Sequence, residues 1–284
     1  MSPWFAWVFV AAGTMLWADL AAAQGRKPKL PPGLDPGGVA IAILSTGIDY
    51  PSSDIAQRLA RDGEGELIGW DLVDGDNRPF NAKAADTPAA WGGDGNALLR
   101  AIGQPGRRVV PVRIDPRDPV SLAKAVAFAA HTPARIVVVP MWTAKADEWA
   151  ALGMAVRGFV DLLFIVAAGD EGKDIDREPV WPAAFGHGNV LVVSAPVAQG
   201  AAQATRSNTG PNTVSAIVEG AENSRMAAVV AADALAGCWG QLVGRFKGEA
   251  LKRALLAEAA KARPGSATPV IERCGGGGAA AAPR

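Results

Sequence analysis

Short unbroken apolar runs alternate along this chain with longer stretches in which apolar residues recur every three or four positions. Residues 39–44, 109–112, 136–139, 162–168 and 190–193 are runs of strand length, rich in β-branched side chains. They lack polar alternation, which predicts strands buried on both faces. Residues 95–102, 120–130, 147–160, 226–235 and 248–262 predict helices. In the last of these Leu251, Leu255 and Ala259 share one face, while Lys252, Glu258 and Lys261 turn to solvent. Strand–helix alternation of this kind predicts an α/β fold, with a parallel sheet carrying helices on both faces. In such folds a ligand site lies beyond the carboxyl ends of the strands.

The two ends of the chain have a different character. Trp4 to Leu20 are almost wholly apolar and are followed by Ala21, Ala22, Ala23 and Gln24. Small residues three and one positions before a cut suit signal peptidase, so 1–23 is expected to be a signal peptide cleaved after Ala23. The segment has no Lys or Arg ahead of it, and an uncleaved anchor is the competing reading. Residues 24–37 form a Pro- and Gly-rich linker. The folded domain is placed at 38–265, followed by a C-terminal segment, 266–284, that ends in a Gly/Ala-rich tail.

Composition narrows the picture. The 284 residues suffice for one large α/β domain or two small ones, and with 49% hydrophobic and 20% charged the chain can bury a core. Lys plus Arg equals Asp plus Glu at 28 each, so no basic excess exists to neutralise phosphates and no nucleic-acid partner is expected. An export signal makes the two cysteines meaningful: Cys238 and Cys274 are an even pair in a disulfide-permissive compartment, with two unpaired thiols as the alternative. Neither has a Cys or His neighbour at zinc-ligand spacing. Asp49, Asp54, Asp71, Asp74 and Asp76 could suggest calcium, but carboxylates that cap turns are the plainer expectation. No metal and no cofactor is expected, and no membrane contact after signal cleavage.

A series of local signatures, all in one order, then carries a family resemblance. Residues 39–49 end in Ser45-Thr46-Gly47-Ile48-Asp49, where the subtilisin-like serine peptidases (subtilases) end a first strand in Asp-Thr-Gly-Ile/Val-Asp. Residues 69–79, from Gly69-Trp70-Asp71 to Arg78-Pro79, are similar to a specific segment of that family. Gly93-Asp94-Gly95 stands where it has Gly-His-Gly. Val110-Pro111-Val112-Arg113, Ala167-Ala168-Gly169-Asp170, Trp181-Pro182-Ala183 and Ser207-Asn208-Thr209-Gly210 resemble further family segments. Ser224-Arg225-Met226-Ala227-Ala228 matches its serine motif in register. The resemblance implies a three-layer subtilisin-like fold.

It also implies a site, and there this chain departs from the pattern. The positions matching the catalytic Asp, His and Ser hold Ser45, Asp94 and Arg225, and the oxyanion position holds Asp170. Subtilase chemistry needs a carboxylate to orient a histidine, that histidine as base, a serine nucleophile and an amide donor to the oxyanion. Ser45 supplies no carboxylate, Arg225 has no nucleophilic oxygen, and Asp170 would repel an oxyanion. His131 and His187 are expected at a helix end and in a surface loop, away from these positions. Ser224 becomes the nucleophile only on a one-residue shift that Met226-Ala227-Ala228 opposes.

The segment matching the substrate edge contains Met141, Trp142 and Thr143, after a Pro140 that cannot donate a backbone hydrogen bond. Trp142 is expected either in the core or as an exposed binding aromatic. Arg225 is expected to pair with Asp94, Asp170 or both, the alternative being an arginine turned out to solvent. These departures predict a periplasmic or secreted pseudoprotease with a protein or peptide partner; the alternative is a serine endopeptidase of the same family.

Overall fold

The computed structural model describes residues 37–103, 105–196 and 207–274. The expected signal peptide, nearly all of the linker and the Gly/Ala-rich tail lie outside these residues. Eight strands, β1 Gly38–Ser45, β2 Trp70–Asp71, β3 Gly106–Arg113, β4 Ile136–Val139, β5 Leu163–Ala167, β6 Val190–Ser194, β7 Ala216–Val218 and β8 Val270–Ile271, make one sheet. Its order is β2-β3-β1-β4-β5-β6-β7-β8, and all neighbours run parallel.

The unbroken apolar runs feed two separate cores. Ile41, Ile43, Ile136, Val138, Leu163 and Ile165 face one side of the sheet. There they meet α2 (Gly95–Arg100), α5 (Ser224–Cys238) and α6 (Gly248–Ala262). Ala40, Ala42, Leu44, Val137, Val139, Phe164 and Val166 face the other, under α3 (Pro119–Ala130) and α4 (Ala150–Gly158). Alternate residues of each strand thus enter opposite cores, and both must be apolar. α5 is buried over eleven of its fifteen residues, most of them Ala or Val, so it lies close against the sheet. Among the described residues no helix is long and apolar enough to cross a membrane.

Several boundaries move. The domain does not stop at 265: β8 pairs with β7 beyond that point, and the chain stays in place to Cys274. A two-residue edge strand has no periodicity to detect, and the same holds for β2. The helix expected over 147–160 opens with a 3₁₀ turn, Asp147–Trp149, and ends at Gly158. The helix expected over 226–235 starts at Ser224 because the Asn223 side chain caps it by accepting from the Met226 amide at 3.0 Å. Pro111 sits inside β3 without cost. Val109, two residues earlier, bonds Arg58 and Ala60 on the β2 side, so the side on which Pro111 lacks a donor is the one where β2 has not yet begun.

β1 lies between β3 and β4, and the winding of the chain reverses there. The crevice at such a switch point opens at the carboxyl end of β1, which is Ser45.

Near it, α1 (Ser53–Ala56) is tied to α2 through Asp54, which accepts from the Ser52 hydroxyl and meets Arg100 Nε at 2.7 Å. The Ser52 hydrogen bond first, and then Arg100, hold the Asp54 carboxyl at about 2. A folded-state value below the ordinary one of about 4 means stability present above that value and lost as pH falls through the folded one. Asp54→Asn is therefore expected to flatten the decline in melting temperature between about pH 4 and 2, and less so in high salt. An unchanged acid slope in paired thermal melts would contradict this assignment.

Candidate functional site

Ser45 ends β1 and is buried, its hydroxyl accepting from the Gly47 amide at 3.2 Å. Gly47 has φ +117°, and a Cβ there would come 2.5 Å from Asn81 Cβ and 3.0 Å from Arg113 Cδ, so this turn admits no side chain. Arg113, opposite Ser45 in the register, reaches across to Asp71 at 2.7 Å and Asp74 at 2.6 Å. Asp71 is fully buried, and its other oxygen caps the following turn by accepting from the Val73 and Asp74 amides at 2.8 and 2.9 Å. The segment around Asp71 is thus a turn wound on one buried carboxylate, with Arg113 as its counter-ion. Asp76 accepts from the Arg78 amide at 2.7 Å. These carboxylates hold turns and pair with arginines.

Asp94 caps α2, accepting from the Asn96 amide at 2.9 Å. Gly95 lets the helix approach the Gly47 carbonyl, which a Cβ would meet at 2.4 Å. Gly93, at φ +66°, lies against Arg225: a Cβ there would fall 1.8 Å from Arg225 Nη1. Arg225 therefore crosses the crevice from α5 toward the start of α2. On its near side stands Asp170, just beyond β5. Asp170 Oδ1 accepts from the Ser224 amide at 2.7 Å and the Ser207 hydroxyl at 3.0 Å. Its Oδ2 faces Arg225 Nε at 3.7 Å, with the two side chains 11% and 23% exposed. Neither atom has a hydrogen-bond partner, so this is an ion pair held by charge alone. Of the two carboxylates expected to meet Arg225, Asp170 is the one within ion-pair reach, while Asp94 spends an oxygen on its helix.

The serine oxygens beside this cluster each also accept a backbone amide. Ser224 is buried, with its oxygen accepting from the Gly169 amide at 3.1 Å. Ser207 is buried and accepts from the Ala195 amide at 3.2 Å. His131 follows α3 and bonds the Ala127 carbonyl at 2.7 Å; His187 lies before β6 and stacks on Phe185. Both precede strands and so sit at the opposite end of the sheet from Ser45. The four residues singled out come together at one end of the sheet as two carboxylates, a guanidinium and a buried hydroxyl, with no nucleophile beside a base.

At the edge expected to receive a peptide, Met141 is fully buried and Trp142 is 5% exposed, which removes the exposed-aromatic reading of Trp142. Its ring abuts Gly169 and its Nε1 donates to Glu171. Its amide donates to the Ala90 carbonyl at 2.9 Å, and Thr143 exchanges both backbone hydrogen bonds with Trp181 at 2.9 and 2.8 Å. Pro140 has no donor to offer, so the candidate donors at Pro140, Trp142 and Thr143 are missing or already used.

Glu171 was not singled out by the sequence, although it is half of an acidic doublet directly after Gly169. It holds Trp142 with one oxygen and Asn208 Nδ2, at 2.8 Å, with the other. Asn208 fills its remaining capacity with the Ala168 carbonyl and the Glu171 and Lys173 amides. Behind the site, Cys238 at the end of α5 is joined to Cys274 by a disulfide.

No family model and no curated protein matches this chain. Solved structures do. A lanthipeptide protease superposes with a TM-score of 0.57 at 14% identity, covering 79% of this chain and 81% of its own. A subtilase cytotoxin assembly gives 0.57 at 17% identity, with 82% and 87% covered. A cold-adapted subtilisin-like serine proteinase gives 0.53 at 13%, with 84% and 90% covered. The chain has the subtilisin-like fold.

Proposed function

We propose that this chain is an exported, subtilisin-like pseudoprotease that engages a protein or peptide partner without hydrolysing it. One observation carries the reading: the crevice where the fold would place a nucleophile and its base holds Arg225 against Asp170. A guanidinium stays protonated and has no oxygen to attack a carbonyl. A carboxylate beside the reacting carbon raises, not lowers, the energy of a developing oxyanion. Export is supported by the 4–23 segment and is in keeping with a disulfide between Cys238 and Cys274. The peptidase reading draws support from the solved neighbours, which are proteases, but fold alone does not supply chemistry.

Purified protein incubated with unfolded casein is expected to yield no fragments above those of a heat-inactivated control. Fragments that appear with the native protein and vanish in a Ser224→Ala variant would establish a peptidase and end the proposal.

A further inference from the structure

β8 is the last strand of the sheet and has few attachments of its own. It pairs with β7 over two residues only, Ile217 with Val270 and Val218 with Ile271, and the outermost bonds run from the Ile217 amide to the Pro269 carbonyl and from the Glu219 amide to the Ile271 carbonyl, both 2.9 Å. Val270 and Ile271 are buried. Glu272 pairs with Arg263, which also pairs with Glu219 beside β7; all three side chains are partly exposed, so these ion pairs are weak and screened by salt, and Cys274 Sγ lies 3.6 Å from the Ala234 carbonyl. A two-residue ladder and two apolar side chains must offset the ordering of residues 266–274, an entropy cost that a segment of this length recovers only with help. The help is covalent. Cys274 is bonded to Cys238, an exposed residue that ends the deeply buried helix α5.

We infer that the Cys238–Cys274 disulfide is a reducible latch on the sheet edge. A dithiol donor attacks one sulfur, the S–S bond breaks, and a second donor thiolate displaces the mixed disulfide. Two electrons pass to the protein, which gains two protons as thiols, and the donor leaves as its own disulfide. With the tie gone, β8 separates from β7 while α5 and the strands beneath it remain. The amides of Ile217 and Glu219 are then unpaired, and β7 presents an open edge of the kind that accepts an extended strand. This inference does not rest on whether the crevice is catalytic.

Hydrogen exchange followed by mass spectrometry tests it on the folded mature protein. Exchange is compared before and after treatment with a small dithiol and alkylation, with intact mass verifying uptake of two alkyl groups. Peptides covering 216–219 and 266–274 are expected to exchange at least about tenfold faster after reduction, while those covering 41–44, 136–139 and 163–167 keep their protection. The Cys238→Ser/Cys274→Ser variant should reproduce the reduced pattern. Unchanged exchange at 216–219 after full alkylation would overturn the inference. So would acceleration of every peptide together, or a disulfide that resists the dithiol until the domain unfolds.

Discussion

Replacing Arg113 with methionine is expected to lower stability by about 3–5 kcal/mol, the usual cost of leaving a buried charge without its partner. The stranded group is Asp71, which has no exposed side-chain surface and keeps only its two backbone donors. Methionine retains the aliphatic stem that packs on the Gly47 turn, so the loss reports charge more than packing. Asp71→Asn should cost less, about 1–2 kcal/mol, because the amide oxygen can still cap the turn and Arg113 keeps Asp74. The double variant should be better than the sum of the singles. Urea unfolding of the four proteins checks this. A loss below about 1 kcal/mol for Arg113→Met would place the pair with ordinary surface ion pairs.

The second large effect lies in the crevice. Arg225→Ala should cost about 2 kcal/mol, between the value for a buried pair and that for an exposed one, because both side chains are mostly but not wholly covered. Asp170→Ala should cost more, about 3 kcal/mol, since it also strips partners from the Ser207 hydroxyl and the Ser224 amide. Removing both should recover at least about 1 kcal/mol against the sum, because the second deletion no longer strands a charge. Asp94→Ala is expected to cost about 1 kcal/mol through its helix cap and to couple to Arg225 less than Asp170 does. Strict additivity of the Arg225 and Asp170 changes would mean that the crevice is eroded and not held by this pair.

Long apolar runs made the sheet and both helical layers legible in the sequence. β1, β3, β4, β5 and β6 each feed two cores and therefore show no polar interruption. β2, β7 and β8 escape because strands of two or three residues carry no period, although the Cys238–Cys274 pair beside β8 was legible from the cysteine count. The order of motifs located Ser45, Asp94, Asp170 and Arg225, and topology then explains why they meet: each lies at or just past the carboxyl end of a strand or at the start of a helix that follows one. What remained hidden was partner choice. Asp94 and Asp170 look alike as residues beside an arginine. Only the fold shows that one spends an oxygen on the Asn96 amide while the other lies against Arg225. Glu171 was missed for the same reason, because its role depends on Trp142 and Asn208, far away in the chain.

Labelling by a fluorophosphonate probe tests the central claim most directly, because the probe reports a nucleophilic hydroxyl activated by a base, whatever the substrate. Folded protein is expected to react no more than a heat-denatured control. Stoichiometric labelling of the folded protein alone, mapped by mass spectrometry to Ser224, Ser45 or Ser207, would contradict the account and return the crevice to catalysis.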